Sequence, residues 1–192
     1  MSRIPVGTVL LLLSIVVTAP AAAQVAYFQA YTDPALQENV YHCGTSGTTA
    51  QVFIVLGNAD VRVSAVDFHV DYPPGMVWIT DLPPDDNYTG TEWATIGQSP
   101  TGIAIAWANC CMTDGSERPF VVMRALVYWP GSQCPCSGFT VGGYAALGKT
   151  QPSYVRDGDF AEFSAVGRTS YRSNCETAVE PSTWGRVKSL YR

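Results

Sequence analysis

Residues 62–72, Arg62-Val-Ser-Ala-Val-Asp-Phe-His-Val-Asp-Tyr72, alternate so regularly that they read as a β-strand with one buried face. Val66, Phe68, Val70 and Tyr72 fall on one face, and Ala65, Asp67, His69 and Asp71 on the other. The same texture continues through residues 51–56, 76–79, 91–97, 102–108, 120–129, 138–144 and 160–166, with turn residues between successive runs. Ser99-Pro-Thr-Gly102 reads as a hairpin turn joining two of them. No convincing amphipathic helix separates these runs, so the chain is expected to be an all-β antiparallel sandwich of eight or nine strands rather than α/β. At 47% hydrophobic and 14% charged residues, the composition excludes a disordered chain or a coiled coil. A formal charge of −5 argues against a general nucleic-acid binder.

Residues 1–23 read as an address. Arg3 is followed by the apolar run Val-Leu-Leu-Leu-Leu-Ser-Ile-Val-Val at 9–17, then by small residues at Ala21 and Ala23. This is the pattern of a secretory signal peptide, and the run is well short of the roughly 20 residues that span a bilayer. The mature chain is expected to be secreted or at the cell surface and to lack a transmembrane span. Its six cysteines, Cys43, Cys110, Cys111, Cys134, Cys136 and Cys175, form an even set in an exported protein, which points to disulfides. Zinc is the rival reading, but no C-x-x-C occurs, and His42 and His69 lack paired ligand spacing.

Asp67-Phe-His-Val-Asp-Tyr72-Pro-Pro-Gly-Met-Val77 is similar to the D-F-x-x-x-Y-D-P-x-x-L strand and exit of cohesin domains, with Pro73 where that pattern has Asp. Gly102-Ile-Ala-Ile-Ala-Trp107, Val122-Met-Arg-Ala-Leu-Val127 and Gly138-Phe-Thr-Val141 follow in that family's order. Residues 50–167 thus resemble a cohesin, a jelly-roll sandwich that receives dockerin modules. The resemblance implies a cohesin-like domain over 24–180 that works by binding or adhesion without catalysis. It implies that the strands at Asp67 and Gly102 share a sheet, flanked by the strands at Trp93 and Phe139. Ile103, Ile105 and Trp107 would then point inward. Ala104, Ala106 and Ala108 would point outward beside Asp67, His69 and Asp71, forming a flat face for an extracellular or cell-surface protein. Asp67 lies where the family places an aspartate that contacts dockerin. The plain alternative is an ordinary solvated β-face. The same topology implies Cys43 bonded to Cys110 or Cys111, and Cys175 bonded to Cys134 or Cys136.

Catalysis has little support, since there is no G-x-S-x-G, no H-E-x-x-H and only two histidines. No catalytic residue is assigned, and a secreted hydrolase ranks third. The second reading is polysaccharide binding through exposed aromatics, which the five Trp and ten Tyr invite. It requires two tryptophans exposed in one plane. No resident cofactor is expected. Calcium is the one candidate, at Asp157, Asp159 and Glu162, where Asp-Gly-Asp forms a turn; a second acidic loop holds Asp81, Asp85 and Asp86. Residues 181–192 form a basic tail in which Ser182 can cap a short helix. Trp184, Val187, Leu190 and Tyr191 would be its docking residues.

Overall fold

The computed structural model describes residues 25–37, 40–41, 47–85, 93–107, 119–130 and 138–172. The expected signal peptide, all six cysteines, Ala108, Asp86 and the tail residues Trp184, Val187, Leu190 and Tyr191 lie outside the described residues. Among the described residues, no helix is long and apolar enough to cross a membrane.

Two sheets face each other. The first has the order β12-β1-β3-β8-β5, made by β1 (Tyr27–Tyr31), β3 (Thr48–Gly57), β5 (Val77–Leu82), β8 (Phe120–Trp129) and β12 (Val166–Gly167). The second has the order β11-β10-β4-β7-β6, made by β4 (Val63–Asp71), β6 (Trp93–Gln98), β7 (Gly102–Trp107), β10 (Ser153–Arg156) and β11 (Glu162–Ser164). β9 (Thr140–Gly142) extends the second sheet by pairing with the last residues of β4, on the side where β10 pairs with its first half. β2 (Val40–Tyr41) and β13 (Tyr171–Arg172) form a separate parallel pair. All pairings within the two sheets are antiparallel except β1 with β12.

The period-2 pattern decides which face is buried. In β4, Val66, Phe68 and Val70 are buried, and in β7 so are Ile103, Ile105 and Trp107. They meet Phe28, Val52, Ile54, Leu56, Met123, Ala125 and Val127 from the other sheet in one core. Phe28 and Phe68 are fully buried, with ring centroids 5.3 Å apart.

Two strands expected from sequence take another course. The run at 138–144 contributes only Thr140–Gly142, and the chain then turns into a short 3₁₀ segment, Ala145–Leu147. A side chain on Gly143 would meet backbone of residues 149–151, so this glycine lets the chain fold back on itself. The run at 160–166 is divided. Phe160 sits in a turn at φ +55°, residues 162–164 join the second sheet, and Val166–Gly167 joins the first. Buried Ala165 marks the point where the chain changes sheets.

The β6–β7 hairpin is fixed by a buried polar hub. Ser99 is fully buried; its N–H donates to Asp81 Oδ2 at 2.8 Å and its Oγ to Asp81 Oδ1 at 2.6 Å. Tyr72 OH, 2.7 Å away, donates to Ser99 Oγ, and burial pushes that phenol well above its ordinary range. Ser99→Ala should strand the buried Tyr72 hydroxyl and leave Asp81 Oδ1 with Trp78 Nε1 as its remaining donor, costing about 1–3 kcal/mol. Urea unfolding reads this as a lower midpoint at an unchanged slope; an unchanged midpoint contradicts it.

Candidate functional site

The outer face of the second sheet follows directly from strand register. One row across it runs Ser164, Ser153, Asp67, Ala104, Ile96, and the next runs Glu162, Val155, Ala65, Ala106, Ala94. Four alanines therefore occupy adjacent positions on three strands. With only Cβ atoms on this floor, the sheet is depressed into a shallow hollow of about 240 Å³, which Asp67, Ile96 and Val155 also line. Ile96 on the edge strand β6 is 74% exposed, an apolar side chain that the domain's own packing leaves open.

One end of the face is closed by the segment after β9. Tyr144 lies over Gly102, where a Cβ would sit 2.0 Å from its ring, and its hydroxyl approaches Gly97. His69 Nδ1 is 2.6 Å from Gly143 O and its Nε2 is 3.4 Å from Asp71 Oδ2. Asp71 is largely exposed at the end of β4.

Asp67 is not an open edge to this face: it is 5% exposed. Lys149 Nζ donates to Asp67 Oδ2 at 2.5 Å and to Ser153 Oγ at 2.9 Å, and it also contacts Glu162 Oε1. Ser153 Oγ lies 2.5 Å from Asp67 Oδ2 and 2.6 Å from Glu162 Oε1. Burial opposes the charge on Lys149, yet hydrogen bonds and charge from Asp67 and Glu162 outweigh it and hold the ammonium above the ordinary lysine range. The Glu162 carboxyl is correspondingly lowered, first by its bond from Lys149 and then by Ser153. Sequence reasoning missed Lys149 because it lies 82 residues from Asp67 in a turn-like stretch with no periodicity.

The calcium reading does not survive this geometry. Asp157, Asp159 and Glu162 face three different cations of the chain itself: Arg62 at 4.0 Å, Arg156 and Lys149. Among the described residues, no three acidic, histidine or cysteine side chains converge on a metal-sized space. Arg156 Nε donates to Asp159 Oδ1 at 2.9 Å, and that pairing, aided by the Ala161 N–H, holds the Asp159 carboxyl down at about 2. A depressed carboxylate pKa contributes stability above its ordinary value of 3.8, lost as pH falls toward about 2. A carbon-detected NMR titration should place the Asp159 midpoint near 2; a midpoint at the ordinary value contradicts the pairing.

Among the described residues no tryptophan is fully exposed, although Trp78 and Trp93 together line a shallow hollow with Thr80, Asp81, Thr95 and Gln98. Trp107 and Trp129 are buried, while Trp78 and Trp93 are half-buried against the core. Trp78 Nε1 donates to Asp81 Oδ1 at 2.9 Å.

No family of known sequences matches the chain, and neither does any curated protein. Solved structures do. The sixth cohesin of scaffoldin B from Acetivibrio cellulolyticus, solved in complex with the Cel5 dockerin, superposes with a TM-score of 0.50 at 14% identity, covering 78% of this chain and 98% of its own. A cohesin module from a family 33 glycoside hydrolase of Clostridium perfringens gives 0.49 at 11% identity over 77% of this chain and 95% of its own. A non-cellulosomal cohesin of the archaeon Archaeoglobus fulgidus gives 0.48 at 13% identity over 81% and 96%. At these identities the likeness is one of fold: the chain is a cohesin-like β-sandwich.

Proposed function

We propose that this chain is a secreted, non-catalytic module that binds a protein through the outer face of its second sheet, at the cell surface or in an extracellular assembly. The observation that carries the reading is the alanine floor of Ala65, Ala94, Ala104 and Ala106 beside exposed Ile96. A solvated face usually carries polar side chains at such positions, whereas side chains of one carbon leave room for a partner's backbone to approach closely. Asp67 lines the side of this floor beneath Lys149, and His69 and Asp71 follow it on the same face of β4, beyond the floor and beside β9. The Acetivibrio cohesin solved with a dockerin has the same fold, which supports a protein over a glycan as the partner class.

The test is a pull-down from the secreted and envelope fractions of the source organism, using residues 24–192 and 24–180 as baits. A protein kept by both supports the sheet-face receptor. One lost with residues 181–192 makes the tail the docking element, and polysaccharide without protein overturns the reading in favour of glycan recognition.

A further inference from the structure

Beside the floor, Lys149 joins buried Asp67 and Ser153 to part-exposed Glu162, and the chemistry open to this charged cluster does not depend on partner binding. We propose that Lys149 and Asp67 condense into an intramolecular amide, a covalent cross-link between β4 and the segment leading into β10. An amine nitrogen 2.5 Å from a carboxyl oxygen lies about 3–3.5 Å from the carboxyl carbon, the separation of a near-attack conformer. Asp67 is nine-tenths buried, and its other oxygen, Oδ1, has no hydrogen-bond partner. A carboxylate with a bare buried oxygen is poorly solvated, and conversion to an amide removes its charge.

The remaining groups are placed to move the protons. Glu162 Oε1 contacts Nζ directly, and Ser153 Oγ bridges the two carboxylates. Nζ begins with three protons. Two of them pass by way of Glu162 to Asp67 Oδ2, the Nζ–Cγ bond forms, the Cγ–Oδ2 bond breaks, and one water departs. The ammonium and the Asp67 carboxylate cancel in charge, Glu162 ends as it began, and no oxidant or cofactor is consumed. Effective molarities on the order of 10⁵–10⁸ M for well-held groups offset the tendency of water to hydrolyse an amide. The two carboxylates keep Lys149 protonated for most of the time, so the step is slow. It needs to occur only once per molecule.

Intact mass spectrometry of the full chain, with cysteines reduced, tests this. The folded wild-type chain is expected to be lighter than its sequence mass by one water, and fragment spectra should join the peptides carrying Asp67 and Lys149. Asp67→Asn should lose ammonia in place of water, whereas Lys149→Arg should keep its full mass. Glu162→Gln should fold and stay unreacted; a cross-link that forms in it as readily as in the wild type overturns the proposed proton route. A cooperatively folded wild-type chain that keeps its full mass after days of incubation overturns the proposal.

Discussion

Phe68→Ala should lower the unfolding free energy by about 3–5 kcal/mol, enough to remove a large share of a typical domain's stability. Phe68 is fully buried on β4, and its ring packs 5.3 Å from that of Phe28 on the opposite sheet. Truncation leaves a cavity walled by both sheets, and strands tied by ladders on either side cannot close in to fill it. β4 is also the strand on which the second sheet is organised, since β7 lies on one side of it and β9 and β10 on the other. The effect should be seen as a shifted midpoint in urea or heat. Loss confined to about 1 kcal/mol would mean that the two sheets do not share a rigid core.

Ala106→Arg should leave the fold intact and weaken partner binding by about 100-fold or more, a difference of about 2.7 kcal/mol. Ala106 is exposed on β7, between Ala65 and Ala94 in register. A long guanidinium there would stand above the floor and hold a partner's surface away from it. Its cost to stability should stay within about 0.5 kcal/mol, as for most surface positions. That split, binding lost with the thermal midpoint kept, distinguishes an interface from a structural role. Ile96→Lys should behave similarly at the rim, since Ile96 is 74% exposed.

Local alternation made much of this face legible beforehand. Alternation over residues 65–72 assigned those side chains to faces, although Val63 at the start of β4 is buried next to a register shift. The cohesin resemblance, by turning Ile103, Ile105 and Trp107 inward, put Ala104 and Ala106 outside, in agreement with the register. β1 escaped notice because Tyr27-Phe-Gln-Ala-Tyr31 is buried on both faces and shows no alternation of polarity. β10 is only four residues long and reads as part of a turn-rich stretch. The fate of Asp67 was invisible for a different reason. Period 2 assigned it to the outer face, but its burial depends on Lys149, delivered by a fold-back after β9 that Gly143 permits. Likewise Asp157, Asp159 and Glu162 looked like oxygen ligands in one turn until the fold gave each its own cation. Long-range pairing of charges is set by topology, and no spacing within the sequence encodes it.

The central claim is that the alanine floor receives the partner, and hydrogen exchange on the chain with its captured protein bound tests it most directly. Binding is expected to slow exchange in β6, at residues 93–98, where the outer strand's amides are not fully used in the ladder, and in the adjoining β7 and β4. The outer face of the first sheet, along β3 and β8, should keep its free-state rates. Protection that falls on β3 and β8 while β6 and β7 remain unchanged would contradict the account.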